Sequence, residues 1–230
     1  MLNTIEVSTD LLLVSVEAMS KEDVRGPTLL PDWSRGHLLT HIARSADSLG
    51  RLVEWARTGI EQKQYASEEA RAAQIQAGAR RSPAELAADI RQSAVAFEQA
   101  ARSLPESARY FELRLRSGVP VTAERLLFVR LRELEVHHVD LDVGYTWADI
   151  PPDVTTAVID DIVATLSKRG DVPGVRLVAT DVELERQIGL RGPVLTGEQA
   201  DLLAWLSGRS PGAGLTVTGA DEVPPAPHWI

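Results

Sequence analysis

A chain of 230 residues with 44% hydrophobic and 25% charged residues falls among ordinary globular proteins and is long enough for one large domain or two modest ones. Its net charge of −9, spread through most segments, offers no concentrated basic surface to a nucleic acid, and no apolar run approaches a membrane span. Cysteine is absent, which excludes disulfides, thiolate ligands and cysteine nucleophiles; the first ten residues lack the basic start and apolar centre of a secretion signal, so a cytoplasmic location is expected.

Residues 3 to about 22 carry Ile5, Leu11, Leu12, Val14 and Val16 at amphipathic spacing and predict a first helix, broken by Gly26-Pro27. The segment 30–34 reads as a turn ending in an N-cap at Ser34 or Asp32, after which apolar residues recur at 38, 42, 46, 49, 53 and 56. This second helix should end near Arg57, where Thr58-Gly59 follows. On its wheel His41 sits beside Leu38 and Ser45 at the edge of the apolar stripe, whereas His37 lies further towards solvent. Ser67-Glu68-Glu69 opens a short helix reaching Gly78, and Ser82-Pro83-Ala84-Glu85 opens another to about Ser103, with Leu86, Ile90, Ala94, Phe97 and Ala101 facing inward.

Between 110 and 122, Phe111, Leu113 and Leu115 alternate with charged residues and Ser117-Gly118 can turn the chain, as in a hairpin. A fourth long helix is expected over about 122–142. Leu127, Leu131, Leu134 and His138 share its core-facing side, Leu126, Arg130, Glu133 and His137 make the adjacent stripe, and Glu135 points away from both. Four helices in this order make an antiparallel bundle, whose interior is a usual place for a metal site.

After Gly144 the texture changes, with a linker near 143–151. A helix from Pro151-Pro152-Asp153 to about Lys168, strands over 175–180 and 183–190, a helix from Thr196-Gly197-Glu198 to Leu206 and a strand over 215–218 describe a small α/β region before a Pro-rich tail. The fold class is therefore α+β, with an N-terminal domain over 1–145 and a C-terminal domain over 146–230.

Glu133 and His137 stand four residues apart on one helix face, and a catalytic zinc needs three protein ligands plus an open position. His41 supplies the third group from another helix. The same set would also accept iron, nickel or manganese, and the alternative is a solvated ion pair with capping groups. Gly208-Arg209-Ser210-Pro211-Gly212 matches G-x-S-x-G literally, with Asp221 and His228 following in hydrolase order. A nucleophile elbow follows a strand and opens a helix, whereas here a helix precedes and Pro211-Gly212 blocks one. Arg209 is the more useful residue of that loop, because a guanidinium can hold a carboxylate bidentately.

Three stretches, LPDWSRGHLLTHIA at 30–43, YASEEAR at 65–71 and RELEVHHVDL at 132–141, together resemble the mycothiol-dependent maleylpyruvate isomerases of the DinB-like metalloenzyme superfamily. The similarity extends to the loop at 207–209 and to the ending at 222–229. The resemblance implies a DinB-like four-helix bundle carrying zinc on His41, Glu133 and His137, a smaller α/β domain, and Arg209 as a catalytic residue. Where the family often has one histidine before Val-Asp-Leu, this chain has His137-His138; ligation by His138 would break the four-residue spacing.

The implied chemistry is that zinc lowers the pKa of the mycothiol thiol. Thiolate addition to the cis double bond of maleylpyruvate, bond rotation and elimination then give fumarylpyruvate, with Arg209 holding a carboxylate and stabilising enolate charge. A mycothiol S-transferase or a non-catalytic metal- or ligand-binding module would share the site. The expected partners are a small thiol cofactor and a small keto-acid or dicarboxylic substrate, with no nucleic acid, no membrane and a monomeric chain. No sequence pattern identifies the residues that contact mycothiol.

Overall fold

Serine side chains set most of the helix starts in the first part of the chain. In the computed structural model, which describes residues 1–229, α1 (Leu2–Glu17) begins without a side-chain cap. The next four helices begin at Ser20, Ser34, Ser67 and Ser82, each accepting a hydrogen bond from the backbone N–H three residues on. These open α2 (Lys21–Arg25), α3 (Arg35–Thr58), α4 (Glu68–Gly78) and α5 (Pro83–Ser103). Each such cap contributes about 1 kcal/mol by satisfying an amide that the helix leaves unpaired. Gly59 ends α3 at φ 73°, a left-handed conformation that glycine adopts without a Cβ clash.

The expected hairpin forms between β1 (Glu112–Arg114) and β2 (Pro120–Thr122), and its second strand delays α6, which spans Arg125–Asp140. The long helix therefore starts after residue 122, because backbone groups there pair across the hairpin. The first helix also differs from expectation. It stops at Glu17, and a separate capped turn forms α2.

Leu11 and Val14 are 46% and 67% exposed, while Ile5, Leu12, Leu13 and Val16 are buried. Ser8 lies among these buried residues because its hydroxyl donates to the Glu135 carboxylate on α6. Glu135 accordingly points inward, not away from the core, at 2% exposure. Both flanks of α6 are covered, since α1 and α3 pack on it, which is why buried residues occupy most of its circumference.

The chain divides into two compact units, Met1–Gly144 and one beginning at Tyr145. In the first, α3 packs against α5, α4 and α6, and α1 packs against α5 and α6. Leu12, Leu38, Leu39, Ile42, Leu52, Leu86, Ile90 and Phe97 form its interior at 1% exposure or less. Arg130 of α6 is fully buried among them and donates from Nη1 to the carbonyl of Ile42 on α3 at 2.9 Å, tying the two helices together.

The second unit contains α7 (Pro152–Leu166), β3 (Val175–Ala179), β4 (Glu185–Ile188), β5 (Val194–Gly197), α8 (Gln199–Leu206) and β6 (Thr216–Thr218). Its sheet has the order β4-β3-β5-β6; β3 runs parallel to β5, and the other two pairs are antiparallel. The strand β5 replaces the expected helix start at residues 196–198, and α8 begins only at Gln199. The chain is thus of mixed α+β class. Among the described residues no helix is long and apolar enough to cross a membrane.

The approach of α4 to α3 depends on two glycines. A Cβ on Gly36 would lie 2.1 Å from the carbonyl oxygen of Ala79, and one on Gly78 would lie 2.4 Å from Cγ2 of Thr40. Gly36→Ala must therefore push α4 away, and a destabilisation of about 1–3 kcal/mol is expected in urea unfolding. Gly50→Ala, also on α3 but with nothing within 4 Å of the added Cβ, is expected to leave stability unchanged or raise it by up to about 1 kcal/mol.

Candidate metal centre

The cap at the start of α3 decides the roles of its two histidines. His37 is the third residue of the helix, and its Nδ1 accepts the Ser34 backbone N–H at 3.3 Å, closing a capping box. Its Nε2 lies 3.1 Å from Oε1 of Gln76, so both ring nitrogens are engaged at the helix end. His41, one turn later, is 8% exposed and turned inward. Four-residue spacing places Glu133 and His137 one above the other on α6, and the packing of α6 on α3 brings all three groups together.

One ligand atom from each of His41, Glu133 and His137 lies within 4.8 Å of the others. Oε2 of Glu133 is 3.3 Å from Nε2 of His41 and 3.7 Å from Nε2 of His137, while the two imidazole rings meet edge to face with centroids 5.0 Å apart. Ser45, one turn beyond His41, donates its hydroxyl to the same Glu133 oxygen at 3.2 Å. Three such donors from a 16-residue and a 24-residue helix could hold a metal ion, and two imidazoles with one carboxylate is a donor set also used by catalytic zinc sites.

The protonation states suit a cation. Burial lowers the pKa of His41 below its usual 6.5 and so favours the neutral imidazole, the form that ligates metals. Burial opposes ionisation of Glu133, but the hydrogen bond from His41 and the charge of His137 outweigh it and hold the carboxyl well below its usual range. Behind His137, the fully buried Asp140 carboxylate lies 2.9 Å from Nδ1. A carboxylate there engages Nδ1 and so orients the ring with Nε2 towards the cluster.

Behind His41 the partner is cationic. Nη2 of Arg71, on α4, lies 3.4 Å from Nδ1 of His41, and the guanidinium carbon stands 5.9 Å from the ring centroids of both Trp33 and Tyr65. Trp33 also meets the His41 ring edge to face at 5.5 Å. Burial raises the pKa of Tyr65, keeping its hydroxyl protonated.

His138 lies outside the cluster. It is buried, and its Nε2 is 2.8 Å from the Ser15 hydroxyl on α1. Arg209 belongs to the second unit, in the turn after α8, where its Nη1 donates to the carbonyl of Ser207 at 2.8 Å. A helix precedes Ser210 and none follows, so the loop lacks the strand-to-helix turn of a nucleophile elbow. Sequence reasoning gave no role to Asp140, Arg71 or Trp33. The three-residue step from His137 to Asp140 was available as a signal; the contact of Arg71 with His41 spans 30 residues and has no local one.

The family model for the mycothiol maleylpyruvate isomerase N-terminal domain matches residues 6–142, and that for the MDMPI C-terminal domain matches 149–226. A search of curated protein sequences finds no significant match. Among solved structures, a crystal structure of the mycothiol-dependent maleylpyruvate isomerase is 28% identical, covers 99% of this chain and 95% of its own, and superposes with a TM-score of 0.91. A histidine-to-alanine mutant of the same enzyme is also 28% identical, with the same coverages and a TM-score of 0.90.

The lowered pKa of His41 predicts a pH effect on the metal-free protein. An unfolded chain binds a proton at this position below about pH 6.5, whereas the folded chain resists it until lower pH. Stability should fall as pH drops from about 6.5 towards the lowered folded-state value, and His41→Gln should lose that component. Urea midpoints of the two proteins measured across this range check the sign; parallel pH profiles would contradict it.

Proposed function

This chain belongs to the mycothiol maleylpyruvate isomerase family, and from that membership we propose that it is a zinc- and mycothiol-dependent cis–trans isomerase converting maleylpyruvate to fumarylpyruvate. The observation that carries the proposal is the convergence of His41, Glu133 and His137 in a chain that matches the isomerase structure over nearly its whole length. We read residues 1–145 as a DinB-like antiparallel four-helix bundle of α1, α3, α5 and α6, and residues 146–230 as a separate α/β domain. The pairwise packing of α1 with α5 and α6, and of α3 with the same two helices, supports that reading.

In this proposal His41 and His137, through Nε2, and Glu133, through a carboxylate oxygen, would hold zinc. Bound zinc would lower the pKa of a thiol, and mycothiol would supply that thiol as the nucleophile whose addition and departure let the double bond rotate. Asp140 holds the proton on Nδ1 of His137 and so fixes which nitrogen faces the metal. Ser45 orients Glu133 by donating to Oε2. Arg209 is proposed to hold a substrate carboxylate and to stabilise negative charge developing on substrate oxygen. The absence of cysteine agrees with a nucleophile brought in by the cofactor.

Purified zinc-loaded protein given mycothiol and maleylpyruvate is expected to consume the cis substrate while free thiol is recovered. Net consumption of thiol would instead indicate an S-transferase. No thiol-dependent reaction with any electrophile would leave a metal- or ligand-binding module.

His41→Ala and His137→Ala should lose most of their zinc in elemental analysis, and unchanged stoichiometry in both would remove the assigned ligand set. Asp140→Asn, which keeps the shape but not the charge behind His137, should weaken zinc binding about 10- to 100-fold in chelator competition.

A further inference from the structure

The two histidines of the centre have opposite partners on their far nitrogens. His137 faces the carboxylate of Asp140 at 2.9 Å, whereas His41 faces the guanidinium of Arg71 at 3.4 Å. A neutral imidazole that gives Nε2 to a metal carries its proton on Nδ1, and that N–H needs an acceptor. An arginine has five donors and no acceptor. The Nδ1–H of His41 and the N–H groups of Arg71 are then neighbouring donors that cannot satisfy one another.

Arg71 has no ion-pair partner among the described residues either. Among the described residues its contacts are His41 and the faces of Trp33 and Tyr65, and no carboxylate pairs with it. Other arginines of the same unit, Arg44, Arg81 and Arg116, hold carboxylates. Two aromatic rings 5.9 Å from the guanidinium carbon hold Arg71 in place, and among the described residues His41 Nδ1, at 3.4 Å from Nη2, is its one hydrogen-bond partner. The close packing of α4 on α3 through Gly36 and Gly78 sets its distance from His41.

We propose that Arg71 and the Nδ1–H of His41 together form a carboxylate subsite on the side of the His41 ring away from Nε2, and that Arg71 is a substrate-binding residue. The inference rests on the isomerase reading for the identity of the anion. Maleylpyruvate carries two carboxylates, one of them attached directly to the cis double bond. One imidazole ring separates the subsite from the proposed centre, so it would take the carboxylate nearer the reacting double bond. The chemistry recognised is a planar carboxylate on a small acid, met by the fork of Arg71 and one imidazole N–H. This also accounts for a cation at the place where a metal-binding histidine ordinarily finds a protein carboxylate.

The test uses zinc-loaded full-length protein and succinate, a saturated dicarboxylate that cannot isomerise, in isothermal titration calorimetry. Wild type should bind succinate saturably, Arg71→Gln about 10- to 100-fold more weakly, and Arg71→Lys in between, because lysine restores charge without the fork. Zinc content should be unchanged in both variants, which separates loss of the subsite from loss of the metal. In turnover, Arg71→Gln should raise KM for maleylpyruvate more than it lowers kcat. Equal succinate affinity in wild type and Arg71→Gln, or no saturable binding to wild type, would overturn the subsite even if isomerisation is observed. Arginine-dependent succinate binding without thiol-dependent turnover would uphold the subsite and count against the isomerase reading instead.

Discussion

The first unit is organised around a largely buried carboxylate held between two imidazoles. Burying Glu133 is unfavourable unless its charge is matched, and the matching groups come from different distances along the chain: His137 one turn away, His41 and Ser45 from α3. The same oxygen that accepts from Ser45 lies nearest both Nε2 atoms. An arrangement that satisfies the carboxylate without a cation is therefore nearly the arrangement that a cation needs. To give Nε2 to a cation, His41 would have to carry its proton on Nδ1 instead, while the heavy atoms keep their places.

Holding those groups in register falls to contacts outside the cluster. Arg130, one turn before Glu133 on α6, bonds the Ile42 carbonyl, and Ile42 follows His41 directly on α3. A single hydrogen bond thus joins the two helices that carry the candidate ligands, one residue from His41 and three from Glu133. Burial draws the pKa of Arg130 down to about 10, so it remains charged at neutrality, with Glu133, Asp47 and Glu98 as its compensating charges. Its Nε and Nη2 have no hydrogen-bond partner, which leaves that compensation incomplete. The cost is tolerable because the helices it joins are otherwise packed with fully buried Leu38, Leu39, Ile42 and Leu126.

What the sequence made legible follows from how local each signal is. Caps at Ser34, Ser67 and Ser82 are written within three residues, and the helices they open begin where expected. The inward turn of His41 was readable from its own wheel, and His37 is drawn off by the cap. The burial of Glu135 was not readable, because its partner Ser8 lies 127 residues away on a helix whose wheel favoured other residues. The strand β5 was missed for a related reason. Val194–Gly197 is a short run with little alternation, and it becomes a strand only by pairing with β3 and β6 on either side. Arg71 shows the same limit at the site, since only the close approach of α4 to α3 gives it a neighbour in His41.

Net charge and local field point in opposite directions in this protein. The chain as a whole carries −9, which disfavours anionic ligands at long range, yet small anions are what the family's chemistry uses. Long-range repulsion is screened over about 8 Å at physiological ionic strength, whereas groups lining a partly buried site are screened far less. The charges that matter are then the few near the centre: Arg71 beside His41, and Arg51 5.8 Å from the other contact ring, Tyr65. In the proposed zinc form Glu133 and Asp140 would offset the charge of the cation, and these two guanidinium groups would keep the surroundings of the centre positive inside an acidic chain. Under the proposed function, an anionic sulfur and an anionic substrate, which repel each other in water, would be brought together there by attraction to the same fixed positive charge.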